Sequence, residues 1–357
     1  MTEPAPNAKI RVMLVDDSAV IRSVLRRVLD LDSRIELVTT ARNGREAIEQ
    51  AKKHPLDIIL LDVEMPEMDG LTALPLLRQA RPEARVIMSS SLTQEGASTT
   101  MLALSLGAVA YFSKPTSGDM AKGLRSLADD LCKTIVACAP RPTGDSSNPK
   151  SQKSSTTSLD WHRKAKLMII ASSTGGPPAL DTFFSELDRD VETPILIAQH
   201  MPPVFTGHLA DQLARASGRP CREAGDGEPI VPGEILVAPG DYHLEVEQRI
   251  AGLYTRLHQG PKVNFVRPAA DRLFQSAVDA IGGDLVSLVL TGMGEDGKVG
   301  ATAVHGAGGL VLVQDEESSV VWGMPGAVAR AGVAHAELPL HDLAQAAARV
   351  CKSAVLG

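Results

Sequence analysis

Aromatic residues are scarce in this chain, at 3% of 357 residues, whereas hydrophobic residues of all kinds make up 44%. The cores must therefore be built from aliphatic side chains, as in parallel sheets that are buried on both faces. Cysteine is also scarce, and none of the four forms a CxxC pair or joins a Cys/His cluster. This pattern argues against a zinc site and indicates reduced thiols. The four are Cys132, Cys138, Cys221 and Cys351.

Two further absences limit the classes of function. The net charge is -7, and the chain carries no basic stripe of the kind that a nucleic-acid-binding protein displays. No segment reaches the ~18 apolar residues of a membrane helix, and residues 1–9 lack the apolar region of a signal peptide. We therefore expect a cytoplasmic protein that binds no nucleic acid and does not insert into a membrane.

Short apolar runs alternate with amphipathic segments in two stretches of the chain, and a polar gap rich in Pro and Ser separates them. The gap, residues 139–163, has too few apolar residues to fold on its own, so we interpret it as a flexible linker. The sequence therefore predicts domains at 8–130 and 164–355. The alternation predicts a doubly wound, flavodoxin-like sheet in the first domain and a second doubly wound parallel α/β sheet in the other.

The first domain collects carboxylates where its strands end. Asp16 and Asp17 follow the first strand and Asp62 ends the third, while Ser90 and Lys114 end the fourth and fifth. An Asp in this position is often only a helix cap, but the carboxyl ends of parallel strands meet at one sheet edge, where ligands bind. Three carboxylates together repel one another, so the pattern favours a bound divalent cation such as Mg²⁺.

These residues resemble the receiver domains of bacterial response regulators. The matching runs are Val-Asp-Asp-Ser at 15–18, Leu-Leu-Asp-Val-Glu-Met-Pro at 60–66, Met-Asp-Gly at 68–70 and Ser-Lys-Pro at 113–115. The resemblance implies that Asp62 accepts a phosphoryl group from a histidine kinase and that Lys114 senses it. It also implies a switch pair, which would be Ser90 and Tyr111. The implied Mg²⁺ ligands are Asp17, Asp62 and the backbone of Glu64, with Asp16 in support.

The second domain places a serine, a histidine and an aspartate after three strands. Ser173 lies in a glycine-rich turn, His200 ends the next strand, and Asp296 lies in a later glycine-rich turn. The turn at Ser173 fits either a phosphate cradle or a nucleophile, and it does not match the G-x-S-x-G elbow. With all three residues, the pattern favours a catalytic triad, because triads are defined by geometry and not by chain order.

This domain resembles the chemotaxis protein-glutamate methylesterases. The matching runs are Ser-Ser-Thr-Gly-Gly-Pro at 172–177, Gln-His-Met-Pro-Pro at 199–203 and Leu-Thr-Gly-Met-Gly-Glu-Asp-Gly at 290–297. The resemblance implies that Ser173 is the nucleophile, His200 the general base and Asp296 the orienting carboxylate, with no cofactor. Thr174 and the Met293 backbone would lie near the oxyanion. The family usually has Gly-Ala before the serine, where this chain has Ala-Ser, so Ser172 is an alternative nucleophile.

The two resemblances together imply an enzyme of sensory adaptation. Its substrates would be glutamate methyl esters and selected glutamines of methyl-accepting chemoreceptors, and a chemotaxis histidine kinase would control it by phosphorylating Asp62. An alternative is a phosphorylation-controlled module that binds receptors through an inactive hydrolase domain. A transcription regulator is excluded, because the second domain carries neither a helix-turn-helix nor a basic face.

Overall fold

Residues 9–91, 93–114, 124–140 and 164–352 are described by a computed structural model of the chain. The chain divides into two units between Gly144 and Asp145. This boundary and most of the predicted linker lie outside the described residues. Among the helices that the structure describes, none combines the length and the apolar character needed to cross a membrane.

The N-terminal unit is a five-stranded sheet in the order β2-β1-β3-β4-β5, with every pair parallel. Its strands are β1 (Ile10–Val15), β2 (Ile35–Ala41), β3 (Ile58–Asp62), β4 (Arg85–Ser90) and β5 (Ala110–Ser113). Its helices are α1 (Ala19–Leu29), α2 (Gly44–Lys53), α3 (Gly70–Ala80), α4 (Gln94–Ser105) and α5 (Leu124–Cys138). The strand order reverses between β1 and β3, which opens a crevice at their carboxyl ends. The flavodoxin-like prediction is confirmed.

The helices beside this crevice are capped by residues other than Asp17 and Asp62. Helix α1 is capped by Ser18, whose hydroxyl accepts a hydrogen bond from the Ile21 N–H at 3.3 Å. Asp17 therefore does not cap the helix, although an aspartate at this position often does. Helix α3 has its own cap in Asp69, which accepts from the Thr72 N–H at 2.7 Å.

The C-terminal unit is a seven-stranded parallel sheet in the order β14-β13-β12-β6-β7-β9-β8. Its strands are β6 (Leu167–Ser172), β7 (Ile195–Gln199), β8 (Cys221–Glu223), β9 (Ile235–Val237), β12 (Leu285–Val289), β13 (Leu310–Gln314) and β14 (Ala336–Leu338). Its helices are α6 (Gly176–Glu186), α7 (Pro203–Ser217), α8 (Ala270–Ile281), α9 (Lys298–Gly306), α10 (Met324–Arg330) and α11 (Leu340–Lys352). The strand order reverses between β6 and β12, so the doubly wound prediction is confirmed.

A separate antiparallel hairpin joins this unit, formed by β10 (His243–Arg249) and β11 (Gly252–His258). The sequence pattern predicts only the start of β10 and misses β11, because the turn between them carries no Asn-Gly or Asp-Gly signal. It also misses β8 and β14, which are three residues long and show no apolar run. The hairpin leads into the loop that precedes α8, and this loop reaches the candidate active site described below.

Candidate functional sites

The first site is an acidic pocket at the switch point of the N-terminal sheet. Asp16 and Asp62 are buried, with 0% and 1% of their surface exposed, whereas Asp17 is exposed. Carboxylate oxygens of all three lie within 4.8 Å of one another. The Glu64 N–H donates to Asp62 Oδ1 at 3.4 Å, which places the Glu64 backbone beside this group. The structure therefore brings together the four residues for which the sequence predicts Mg²⁺ binding.

Lys114 supplies the positive charge in the pocket. Its Nζ lies 2.6 Å from Asp62 Oδ2 and 3.5 Å from Asp16 Oδ2. Apart from Lys114, these two buried oxygens have no partner among the described residues. Burial raises the pKa of Asp62 to about 6, an effect that Lys114 opposes and Asp16 reinforces. Burial would lower the pKa of Lys114, but its contacts with Asp62 and Asp16 outweigh this and raise it.

This electrostatic balance fits a hard divalent cation. Among the described residues, Asp62 Oδ2 and Asp16 Oδ2 face Lys114 alone, and the exposed carboxylate of Asp17 lies beside them. One ammonium cannot neutralise three carboxylates, and a cluster of oxygen ligands is the setting that Mg²⁺ prefers in proteins.

The predicted switch residues lie on the neighbouring strands. The Ser90 hydroxyl is buried at the end of β4 and faces the carbonyl oxygens of Gly96 at 3.1 Å and Ser91 at 3.2 Å. Tyr111 lies on β5, where burial raises its pKa. The Ser90 hydroxyl is thus hydrogen-bonded to the start of α4.

The second site lies at the switch point of the C-terminal sheet. Ser173 follows β6, and its N–H donates to the carbonyl oxygen of Thr291 after β12 at 3.0 Å. On the other side, the His200 N–H after β7 donates to the carbonyl oxygen of Ser172 at 3.0 Å. The sheet hydrogen bonds therefore continue past the strand ends and hold the serine turn between the two neighbouring loops.

His200 and Asp296 form a direct pair. His200 Nε2 lies 2.8 Å from Asp296 Oδ2, and both side chains are largely buried. Because Nε2–H donates to the carboxylate, Nδ1 remains as the basic nitrogen of the neutral ring. No hydrogen bond joins the Ser173 hydroxyl to His200 within the described part of the chain. Such bonds are often long before substrate binds.

Asp296 is surrounded by hydrogen-bond donors. Its Oδ2 also accepts from the Ala270 N–H at 2.6 Å, and its Oδ1 accepts from the Asp271 N–H at 3.2 Å and Asn264 Nδ2 at 3.0 Å. The two backbone donors belong to the first turn of α8, where the helix dipole favours a negative charge. Burial would raise the pKa of Asp296, but His200, the Ala270 N–H and Asn264 lower it. Asp296 is therefore held ionised.

The two serines of the turn have different surroundings. The Ser172 side chain is fully buried, and its hydroxyl lies 2.6 Å from Gln199 Oε1. Ser173 is half-buried and thus open to solvent on one side. Gln199 Nε2 donates to the carbonyl oxygens of Ser173 at 3.0 Å and His200 at 3.1 Å. The buried Gln199 therefore ties the serine turn to the histidine loop, and Ser172 fixes the orientation of its amide.

Close backbone packing holds the turn after β12 against Ser173. A Cβ on Gly292 would lie 2.8 Å from Ser173 Cβ and 2.4 Å from Met324 Sδ, so only glycine fits there. The Thr291 hydroxyl lies 2.9 Å from the carbonyl oxygen of Thr174, which joins the two turns again. Met293 follows directly and is 38% exposed. The residues predicted to lie near the oxyanion are thus on the two turns that meet at Ser173.

Two site residues escape sequence reasoning. Asn264 lies in the loop before α8, 32 positions from Asp296 in the chain, and its Nδ2 also donates to Asp271 Oδ2 at 3.0 Å. Gln199 stands next to His200, but nothing in the spacing indicates that its amide faces the serine turn. Both residues act through contacts between segments that are distant in the chain. The only sequence signal is that Gln199 directly precedes His200, and Asn264 has no such signal.

Comparison with known proteins relates both halves of the chain to established families. The family model described as CheB methylesterase matches residues 168–347, and the response regulator receiver domain matches residues 12–123. A protein-glutamate methylesterase/protein-glutamine glutaminase of Caulobacter vibrioides is 46% identical over 338 residues, covering 94% of this chain and 96% of the relative. The chain belongs to this family. The resemblances predicted from the sequence are therefore confirmed.

Two further relatives agree with this assignment. The Maricaulis maris protein-glutamate methylesterase/protein-glutamine glutaminase is 40% identical, and the alignment covers 99% of both chains. The crystal structure of the CheB methylesterase catalytic domain of Thermotoga maritima is 38% identical with a TM-score of 0.51. It covers 52% of this chain and 99% of that domain.

Proposed function

We propose that this protein hydrolyses glutamate γ-methyl esters on methyl-accepting chemoreceptors, deamidates selected receptor glutamines, and is activated by phosphorylation of its receiver. The observation that carries this proposal is the pairing of His200 with Asp296 beside the Ser173 turn, in a chain of the CheB methylesterase family. The names of two relatives that this chain matches over more than nine-tenths of its length state both activities.

The geometry supports a serine mechanism. Ser173 Oγ attacks the side-chain carbonyl carbon of the glutamate ester, and His200 Nδ1 takes the hydroxyl proton. The Nε2–H of the resulting imidazolium stays bonded to Asp296, whose negative charge stabilises the cation. The proton then passes to the departing methoxide, so methanol leaves and an acyl-enzyme remains. Water activated by the same histidine hydrolyses the acyl-enzyme to glutamate; with a glutamine substrate, ammonia leaves instead.

Backbone N–H groups around Ser173 would stabilise the oxyanion formed in each step. The Thr174 and Met293 backbones flank the nucleophile on turns held together by Thr291. Removal of one oxyanion donor costs about 10²–10³-fold in kcat in a comparable site. Small residues in both turns let the backbone come close to the reacting carbonyl.

The receiver would regulate this reaction through Asp62. Asp16, Asp17, Asp62 and the backbone of Glu64 are the residues that would hold Mg²⁺, which would neutralise charge on the phosphoryl group when bound. Lys114 already contacts Asp62, so an incoming phosphoryl oxygen would take over this contact. The phosphodonor would be the histidine kinase of the receptor pathway. We propose that the unphosphorylated receiver at 8–130 inhibits the hydrolase at 164–355 and that the linker at 139–163 permits its release.

The inactive receptor-binding module is the rival proposal. The curated names of the relatives favour an enzyme, and a binding module has no need of a carboxylate held ionised beside a histidine. The two proposals differ in what substitution of Ser173 does.

Methanol release from methylated receptor membranes tests the function. The unsubstituted protein should release methanol, and Ser173→Ala should lower the rate by about 10⁴-fold or more, as loss of the nucleophile does in serine hydrolases. Ser172→Ala is the matched control, because it removes a buried hydroxyl from the same turn. It should retain far more of the rate than Ser173→Ala, because the Gln199 amide keeps its bonds to the carbonyl oxygens of Ser173 and His200. Equal loss in both variants, or no methanol from the unsubstituted protein, would contradict the proposal.

A further inference from the structure

A tight turn in the loop before α8 carries an unusual residue. Val263 and Val266 exchange two backbone hydrogen bonds of 3.2 and 3.0 Å, which leaves Asn264 and Phe265 as the two central residues. Both have positive φ, 51° and 66°. Such turns normally use Asn followed by Gly, because glycine takes positive φ without strain. Here the second position is a phenylalanine.

Phe265 is unfavourable in two independent ways. Its backbone is in the left-handed region, which costs a residue with a Cβ about 1–2 kcal/mol. Its side chain is 95% exposed, so the ring gains nothing from burial in this unit. Singly exposed apolar residues are ordinary on protein surfaces. Strained backbone, however, concentrates at functional sites, and here it coincides with an exposed aromatic ring.

The turn is bonded directly to the catalytic aspartate. Asn264, adjacent to Phe265, donates from Nδ2 to Asp296 Oδ1 at 3.0 Å and to Asp271 Oδ2 at 3.0 Å. This anchors one end of the Phe265 backbone to a buried, rigid part of the site. A second exposed apolar side chain, Met293, stands three positions before Asp296. Phe265 thus directly follows a residue that contacts Asp296, and its ring is exposed there.

We infer that Phe265 is a specificity-determining residue that packs on an apolar side chain of the protein substrate next to the reacting ester. This inference rests on the proposed function and names one contact within it. The methylated segment of the substrate would be held through an apolar side chain, while the small ester group alone reaches Ser173. Aromatic rings held rigid at an interface lose little entropy on binding, which suits this role.

The chain offers a matched control for the ring. Ile250 is also a fully exposed apolar residue, but it lies in the tip between β10 and β11. The loop carrying Phe265 follows the other end of this seven-residue ladder, roughly 20 Å along the hairpin at ~3.3 Å per residue. Substitution of Ile250 therefore removes a comparable apolar surface away from Asn264 and Asp296.

The experiment compares kcat/KM on methylated receptor membranes with kcat/KM on p-nitrophenyl acetate, a probe too small to reach the turn. Phe265→Asn should lower the ratio of the two about tenfold, mainly through the KM for the membranes, the loss typical of an aromatic contact residue. Its melting temperature should not fall, because asparagine accepts positive φ more readily than phenylalanine. Ile250→Asn should leave the ratio unchanged.

Two outcomes would overturn the inference. One is an unchanged ratio in Phe265→Asn, whether or not both rates fall, and the other is a faster reaction of the unphosphorylated variant with the small ester. A faster reaction would mean that the ring takes part in inhibition by the receiver and not in substrate binding. If the unsubstituted protein cleaves the small ester but releases no methanol from receptor membranes, the proposed function itself fails, and the inference fails with it.

Discussion

Asp62 and Asp296 occupy corresponding places in two different sheets. Each is buried at the switch point of a parallel sheet, with 1% and 2% of its surface exposed. Asp296 accepts hydrogen bonds from four donors supplied by the protein. Asp62 has one ammonium and one long backbone contact, and Asp16 repels it. As a result, the pKa of Asp296 is lowered, whereas the pKa of Asp62 is raised to about 6.

On the proposed function, the two sheet edges serve opposite purposes. Asp296, which would orient a histidine in every turnover, is kept ionised by four donors from the protein. Asp62, which would receive a cation and a phosphoryl group, has fewer donors than its negative charge calls for. The number of donors, and not burial, therefore separates the permanent charge of Asp296 from a site that would take up ligands.

The largest expected effect comes from removing the permanent charge. Asp296→Asn should lower kcat for methanol release by about 10³–10⁴-fold, because an amide cannot stabilise the imidazolium and disturbs the ring orientation. Asp271→Asn is the control. The Asp271 side chain accepts from Asn264 and from the Gly300 N–H and is not paired with His200, so its loss should cost less than tenfold. Steady-state kinetics checks both, and similar losses in the two variants would refute the division of roles.

Addition of Mg²⁺ should raise the stability of the receiver, which contains Asp62, and not that of the unit that contains Asp296. At 100 times its Kd, Mg²⁺ should stabilise the receiver by about 2.7 kcal/mol, since it binds the folded site and not the unfolded chain. Thermal unfolding of the full chain with and without Mg²⁺ measures this shift. Asp17→Asn should reduce it, because one of the three clustered carboxylates is lost. Asp296→Asn should keep the full response; a reduced response would place the metal elsewhere.

The pH dependence of stability should differ in sign between the two sites. The raised pKa of Asp62 means that, between pH 3.8 and about 6, the folded state binds more protons than the unfolded state, so this group lowers stability as pH rises. Without Mg²⁺, Asp62→Asn should therefore stabilise the receiver by roughly 1–2 kcal/mol at pH 7.5 and by nothing near pH 3.5. Hydrogen exchange of β3 measures this. A destabilised variant at pH 7.5 would contradict the assignment.

For Asp296 the sign is reversed. Its pKa lies below the ordinary value of 3.8, so its contribution to stability is complete above that pH and is lost as pH falls further. Asp296→Asn should be less stable than the parent at pH 7.5, and the gap should narrow in acid. Hydrogen exchange of β12 in the same samples measures this. If the Asp62 and Asp296 variants changed stability with pH in the same direction, the predicted difference in sign would be wrong.

The residues at the strand ends could be predicted from the sequence, because a parallel sheet places the carboxyl ends of its strands along one edge. Asp16, Asp62, His200 and Asp296 each come at or after an apolar run that predicts a strand. The parallel sheet alone therefore brings Asp16 close to Asp62 in one domain and His200 close to Asp296 in the other. Some of the donors that lower the pKa of Asp296 could not be predicted in this way. Asn264 and the first turn of α8 reach Asp296 through a loop after an unpredicted hairpin, and no periodic pattern reports such a contact.

The most direct test of the account is methanol release from methylated receptor membranes, with and without a small-molecule phosphodonor. The parent should respond to the phosphodonor by several-fold, in the range of ordinary allosteric coupling. Asp62→Asn should keep a basal rate without responding, and Asp69→Asn, a neighbouring helix cap, should respond like the parent. A response that survives in Asp62→Asn, or a parent that is indifferent to the phosphodonor, would contradict regulation through this pocket.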